Sequence, residues 1–269
     1  MSTPEDDEIE ASRAPLMTHL IELRGRLIRA IIAILVAFVA CFAVATHIYN
    51  FLLIPYVWAA TNHGDAAKMI FTAPQEYFIT QMKVALFGAI FIAFPIIAVE
   101  VYKFVAPGLY KNERRAFLPF LVATPLLFIL GACMVFFVLM PLALRFFLSL
   151  QQTGSNSAAS IEALFKVSDY LSLVMALVLA FGFVFQLPVV LTLLARIGMV
   201  SSDALKKGRR YAIVLSFVVA AVLTPPDIIS QIALAIPTIL LYEASIYAVR
   251  LVERRRAAEE PAAPTEKPA

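Results

Sequence analysis

Apolar residues in this chain fall into six long runs separated by short polar segments. Most of the runs reach the roughly 20 residues that an α-helix needs to cross a bilayer. We predict membrane-spanning helices over residues 27–49, 76–105, 115–148, 168–197, 209–224 and 228–250. The fifth and sixth spans are short, and the fifth gives only about 21 Å of helix against a hydrocarbon core of about 30 Å.

Prolines interrupt or flank these runs, and an interior proline removes a backbone hydrogen bond and bends its helix. They include Pro95, Pro107, Pro119, Pro125, Pro141, Pro188 and Pro237. The predicted fold is therefore all-α: a polytopic membrane protein whose six transmembrane helices form a kinked bundle. The loop at about 50–75, which holds Pro55 and Trp58, is predicted to cap the outer membrane surface.

Composition supports this class of protein. Hydrophobic residues make up 61% of the chain and charged residues 15%, and the mean hydropathy is +0.85. That leaves too little polar surface for a soluble globule. The two ends cannot bury apolar area, so we predict disordered tails at 1–15 and 251–269 around a transmembrane domain at 16–250.

The distribution of Lys and Arg predicts the orientation. Of the 22 basic residues, 18 lie on the side of the termini, and the four others are Lys68, Lys83, Arg145 and Lys166. Basic residues are enriched in cytoplasmic loops. We therefore expect both termini in the cytoplasm, and the net charge of +3 gives no reason to expect a nucleic-acid partner.

Two carboxylates stand among arginines just outside apolar runs. Glu22 precedes the first span, and Glu113 lies between the second and the third. Both belong to the same predicted face of the membrane, and neither is needed for insertion. They are candidates for one shared binding surface for a cation.

A buried amide in the fourth span needs hydrogen-bond partners. Gln186 lies two residues before Pro188. Two interpretations stand equally: it bonds the carbonyl that Pro188 frees, or it offers its amide to an incoming helix or peptide.

Polar residues near the ends of other spans have structural explanations beside functional ones. Asp227 is well placed to cap the sixth helix, with Gln231 one turn further on, and both can also face a partner. We expect Glu100 and Glu243 to snorkel or to pair with Lys103 or Arg250.

Catalytic chemistry has no support in the sequence. The three histidines are His19, His47 and His63, and none is placed to serve a nucleophile within the membrane. Motifs of hydrolases, metalloproteases and P-loop ATPases are absent, as is a chain of ionisable residues for proton relay. We expect no enzyme activity, no cofactor and no metal.

Three motifs carry a resemblance to a known family. They are HLIELR at 19–24, APGLYKNERR at 106–115 and LTPPD at 223–227. In this order, with six spans over about 16–250, they resemble TatC, the large subunit of the twin-arginine protein translocase. The resemblance implies a receptor in the bacterial cytoplasmic membrane that recognises twin-arginine signal peptides on folded proteins. It also implies recruitment of the single-span proteins TatA and TatB, self-association, and export driven by the proton-motive force.

The resemblance also implies roles for particular residues. Glu22 and Glu113 would receive the arginine pair, because a carboxylate matches the planar fork of a guanidinium. The other positions that match are Arg24, Arg114 and Arg115 beside the carboxylates, Phe104 as a neighbouring aromatic, Pro55 in the outer loop, and Asp227 with Gln231 where partner helices dock. Gln186 stands where many members have glutamate, which keeps a polar contact but removes any role that needs ionisation.

The alternative class is a secondary transporter or channel component for a small solute. It would need a solute site near mid-membrane, where only Gln186 is offered, and no inverted halves are evident. A purely structural scaffold would leave Glu22 and Glu113 without a task.

Overall fold

The computed structural model describes residues 4–63, 67–105, 114–151, 163–224 and 228–259, with the backbone alone at 4–19, 62–63, 105, 114–119, 229 and 255–259. These residues are mostly helical. The helices are α1 (Pro4–Ala43), α2 (Ala45–His63), α3 (Glu76–Val105), α4 (Arg114–Met134), a π-helical turn (Val135–Leu139), α5 (Met140–Ser149), α6 (Val167–Val184), α7 (Leu187–Arg196), α8 (Ser202–Leu223) and α9 (Ile228–Glu259). Two short strands, β1 (Met69–Ile70) and β2 (Phe165–Lys166), pair in parallel.

Five stretches of the described chain are long and apolar enough to cross a membrane. They are Leu20–Ala43, Glu76–Phe104, Phe120–Ser149, Val167–Arg196 and Ser230–Arg254. They correspond to the predicted first, second, third, fourth and sixth spans. The sixth is longer than expected, because its apolar stretch has 25 residues.

The predicted fifth span falls in α8, whose first half carries Lys206, Lys207, Arg209 and Arg210. Its apolar part is accordingly confined to about 211–223. The count of six spans stays a prediction for this reason.

Proline divides the predicted third span. The π-helical turn precedes Pro141, which lies in the first turn of α5. Here the N–H of Met140 bonds the carbonyl of Val135, five residues back. Pro141 has no N–H to continue the α-helical pattern, and a π-helical turn accommodates the change. The predicted kink is confirmed at this position.

Proline also divides the predicted fourth span. α6 ends at Val184, and α7 begins at Leu187 with Pro188 in its first turn. That is the helical position in which a missing N–H costs least. The break leaves Gln186 between the two helices.

The segment after the first span differs from the prediction. The first long helix ends at Ala43, and a second one, α2, covers much of the expected loop. Pro55 lies inside α2 and is buried. The signal for this helix was present as a buried stripe at helical spacing, formed by Leu52, Tyr56, Ala59 and Ala60.

The helices also extend beyond the predicted spans at both ends. α1 begins at Pro4, where the sequence predicts a disordered tail, and α9 continues to Glu259. Residues 1–3 and 260–269 lie outside the described chain.

Glu76 connects the strand pair to the start of α3. Its carboxylate accepts hydrogen bonds from Thr72 N (2.8 Å) and Oγ1 (3.2 Å) and from Ser168 N (3.4 Å). Lys166 Nζ lies 3.7 Å from it. The buried carboxylate thereby holds the segment before α3 against the start of α6.

The contacts divide the chain into two compact units, one of residues 1–54, 69–125 and 165–175 and the other of residues 55–68, 126–164 and 176–269. In the first unit α1 packs along α3, with a core cluster of Cys41, Ala45 and Ala85. In the second, α9 packs on α7 and α8. The cluster there is Ala195, Leu205, Ile246 and Val249.

Two glycines let α4 and α6 approach closely in the second unit. A Cβ at Gly131 would lie 2.7 Å from the carbonyl oxygen of Phe181, and a Cβ at Gly182 would lie 2.4 Å from the ring of Phe128. Both phenylalanines are fully buried. Small residues at such crossings are typical of membrane helices, whose association depends on close packing.

We expect Gly182→Ala to destabilise the protein by about 1–3 kcal/mol, because the added methyl overlaps a ring that has no free space to enter. The measurement is thermal unfolding of the purified protein in detergent. Gly25→Ala is the matched control, since its Cβ meets only Arg29 Nη1 at 3.8 Å. Equal unfolding temperatures for the two variants would contradict the packing argument.

Candidate functional site

Glu22 lies on α1 with its side chain 37% exposed, and it forms an ion pair with Arg26 one turn along the same helix. Arg26 is more deeply placed, with 14% of its side chain exposed. The i,i+4 spacing brings the two side chains onto one face of α1. One recognition candidate is therefore accessible and already in contact with a guanidinium.

The same face of α1 meets Glu100 on α3. Arg29 Nε and Nη2 donate to the two oxygens of Glu100 at 3.1 and 2.9 Å. Arg26 Nη1 lies 3.6 Å from Glu100 Oε2. Glu22, Arg26, Glu100 and Arg29 thus form one continuous ion network, which we call the α1–α3 network.

Glu100 and Glu243, the two carboxylates near the span ends, have other partners than the sequence predicts. Glu100 pairs with Arg29 and Arg26, because the packing of α1 against α3 brings both arginines to it. Glu243 pairs with Arg209 of α8 at 2.6 Å, because α8 and α9 pack together. Within the described chain no ion pair joins Glu100 to Lys103 or Glu243 to Arg250.

Sequence reasoning missed the roles of Arg26 and Arg29, which entered only as charges that predict orientation. The spacing of Glu22 and Arg26 is a signal for a pair on one helix face. The contact with Glu100 is 71 positions from Arg29, and no local pattern reveals it.

The structure describes the other residues of the predicted recognition surface in part. Arg24 is exposed on α1, and Phe104 is half-buried near the end of α3. Arg114 and Arg115 begin α4, and only their backbone is described. Glu113 lies outside the described residues, so the structure does not test its proximity to Glu22.

Gln186 occupies the break between α6 and α7. Its backbone N–H bonds Phe183 O at 2.9 Å, and its side-chain Nε2 donates to Gly182 O at 3.3 Å. Because the backbone N–H of Gln186 bonds a carbonyl only three residues back, the Gly182 carbonyl accepts from the Gln186 side chain instead. This contact favours the structural interpretation, although the acceptor is Gly182 and not the carbonyl facing Pro188.

The two residues expected to dock partner helices are in the second unit. Gln231, on α9, donates from Nε2 to Phe217 O of α8 at 3.4 Å, the edge of hydrogen-bond range. Asp227 lies outside the described residues. Pro55, expected in an outer loop, lies buried inside α2 instead.

Comparison with known proteins identifies the relatives of the chain. The family model of the Sec-independent protein translocase protein TatC matches residues 18–237. The TatC protein of Magnetococcus marinus is 47% identical over 253 residues, which cover 93% of this chain and 89% of that protein. The TatC protein of Escherichia coli K12 is 38% identical over 233 residues, 87% of each chain.

A solved structure agrees with the sequence relatives. The crystal structure of a twin-arginine translocase receptor, TatC, superposes with a TM-score of 0.75 at 37% identity. The match covers 88% of this chain and all of that one. With its membrane-spanning helices and these relatives, the chain is a multi-pass inner-membrane protein that belongs to the TatC family of Sec-independent protein translocases.

Proposed function

We propose that this chain is the receptor subunit that binds twin-arginine signal peptides of folded proteins, and that Glu22 and Glu113 receive the arginine pair. The observation that carries the proposal is the contact of Glu22 with the guanidinium of Arg26. It supports the view that this partly exposed carboxylate suits an arginine. Membership of the TatC family supplies the class of ligand.

Both carboxylates have arginines close to them in the sequence, which suits an anionic site that must stay ordered when no peptide is bound. Arg24 follows Glu22 by two residues on α1, and Arg114 with Arg115 follows Glu113 in the chain. These cations limit repulsion between acids, and Phe104 offers an apolar and aromatic surface for the residues beside the peptide's arginines. All of these positions belong to the proposed cytoplasmic face.

We infer that both termini are cytoplasmic, as the basic residues indicate, and that TatA and TatB dock near Asp227 and Gln231. Support comes from the short apolar part of α8, which leaves polar groups of α9 close to membrane depth. Self-association and use of the proton-motive force belong to the same proposal. The family model describes a protein translocase, which disfavours the alternative of a solute transporter.

We expect Glu22→Ala and Glu113→Ala each to lower the capture of an Arg-Arg signal peptide by roughly 10–100-fold, because each removes charge-assisted hydrogen bonds to a guanidinium. The measurement is photo-cross-linking in membranes from a photoreactive residue in the peptide, together with export of a folded twin-arginine reporter. A Lys-Lys peptide is expected to be captured weakly by the unaltered chain, because an ammonium does not match the carboxylate bidentately.

Asp203→Asn is the matched control for charge removal on the same proposed face, since this acid is 79% exposed and pairs only locally with Lys206. It should leave capture unchanged. Normal capture and export by the Glu113→Ala variant would contradict the site assignment. Equal capture of Arg-Arg and Lys-Lys peptides would contradict the proposed receptor function.

We expect a photoreactive residue at position 231 to cross-link to a partner transmembrane helix in membranes that contain TatA and TatB. The reason is that position 231 is only partly buried and its native side chain is held by a hydrogen bond at the edge of range. Ser245 of α9, which is fully buried and bonds Leu241 O at 2.6 Å, is the control position. Absence of a partner adduct at 231 would count against docking there.

We expect Gln186→Leu to export the reporter at close to the normal rate while lowering stability by about 1 kcal/mol, because its amide bonds a carbonyl of its own chain. Export assays and thermal unfolding in detergent separate the two effects. A loss of export without a loss of stability would instead favour a direct contact with a partner or peptide.

A further inference from the structure

The guanidinium of Arg26 stands where an arriving arginine would have to bind. Its Nη2 contacts Glu22 Oε1, while Nη1 lies 3.6 Å from Glu100 Oε2. One side chain therefore faces two carboxylates, one partly exposed on α1 and one buried on α3. The contact with Glu22 is the closer one, and the contact with Glu100 is at the limit of an ion pair.

Arg26 also has unused hydrogen-bonding capacity. Among the described residues its Nε is buried without a hydrogen-bond partner. An unsatisfied buried donor costs free energy, and a small movement of the guanidinium towards Glu100 is the available way to reduce that cost. Glu100 has the capacity to accept it, because a carboxylate presents about four lone-pair sites and Arg29 uses two of them.

We propose that Arg26 is a resident competitor for the recognition carboxylate: it pairs with Glu22 in the unloaded receptor and moves onto Glu100 when the arginine of a signal peptide binds. This inference rests on the proposed function and adds to it a positioning role for Arg26 and Glu100. In the unloaded state the pair avoids an unpaired carboxylate at the membrane edge, which would be costly. In the loaded state Arg26 stays paired.

The resident competitor lowers the affinity of the site for any cation that must take its place. One pair of atoms, Arg26 Nη2 and Glu22 Oε1, makes the resident contact, whereas an incoming guanidinium can bind the carboxylate bidentately and so outcompete it. An ammonium offers a strongly hydrated point charge that does not match the carboxylate in this way. Specificity is a difference between affinities, and the cost of displacing Arg26 is the same for both ligands, so the competitor sets the strength of binding and the bidentate bond sets the choice of arginine over lysine.

The test titrates Arg-Arg and Lys-Lys signal peptides, each with a photoreactive residue beside the pair, onto inverted membrane vesicles that contain the full chain with TatA and TatB. The half-saturating concentrations give the two affinities. In Arg26→Gln we expect both peptides to bind on the order of tenfold more tightly, because the competitor is gone. Affinities unchanged from the parent protein would overturn the proposal.

Glu100→Gln tests the second half of the exchange. Loss of this carboxylate leaves Arg26 on Glu22, so both peptides should bind several-fold more weakly. In the Arg26→Gln/Glu100→Gln double variant that weakening should disappear, because Arg26 is no longer present to compete for Glu22. A purely structural role for Glu100 would keep the weakening in the double variant, and that result would overturn the proposal.

Asp203→Asn is the matched control, since this exposed acid pairs with Lys206 outside the α1–α3 network. It should change neither affinity by more than about twofold. If Arg26→Gln fails to accumulate, Arg26→Lys keeps the charge and loses the fork, and both peptides are expected to bind about two- to threefold more tightly. Unchanged affinities in that variant also overturn the proposal.

The two levels of inference fail in different ways. If the parent chain captures neither peptide, or both equally, the proposed receptor function falls, and the competitor role falls with it. If the parent chain selects Arg-Arg and the Arg26 variants bind it no more tightly, only the competitor role falls.

Discussion

Glu100 is a carboxylate in a largely apolar part of the chain, and its pairing with two arginines of α1 fixes how α1 and α3 lie together near the C-terminal end of α3. Burial of an unpaired carboxylate would cost far more than the packing of small residues returns. The bidentate bond from Arg29 satisfies both oxygens at 2.9–3.1 Å. Further along the same helix contact, the core of Cys41, Ala45 and Ala85 allows the helices to approach. Charge pairing sets the register, and small side chains permit the distance.

The same requirement explains how the chain tolerates proline within its spans. A carbonyl that loses its N–H partner in hydrocarbon has no water to replace it. A side chain supplies the replacement at the break before Pro188, where Gln186 donates to Gly182 O. In the third span the backbone itself adjusts through the π-helical turn before Pro141. Kinks are therefore stable features with identifiable donors and do not imply local flexibility.

Much of this architecture could be predicted because it follows from local rules. Apolar length predicts spans, and the breaks at Pro141 and Pro188 follow from a missing N–H. The partners of Glu100 and Glu243 could not be predicted, because each depends on which helices become neighbours in space. The helix α2 was missed for another reason: Pro55 and a mixed composition suggested a loop, whereas the stripe that includes Leu52 and Tyr56 is helical. Motif resemblance identified candidate recognition residues, but it carried no information on what contacts them before a ligand arrives.

A receptor for guanidinium groups at a membrane edge faces a conflict that the α1–α3 network illustrates. The binding carboxylate must be accessible, yet an empty carboxylate beside hydrocarbon is unstable. Pairing it with a guanidinium of its own chain resolves the conflict at the expense of affinity, since any ligand must compete with that group. The competitor need not leave the protein, because Glu100 lies 3.6 Å from Arg26. The same pairing that stabilises the unloaded site thus sets the free energy that any ligand must exceed, and a guanidinium can exceed it because it binds the carboxylate bidentately.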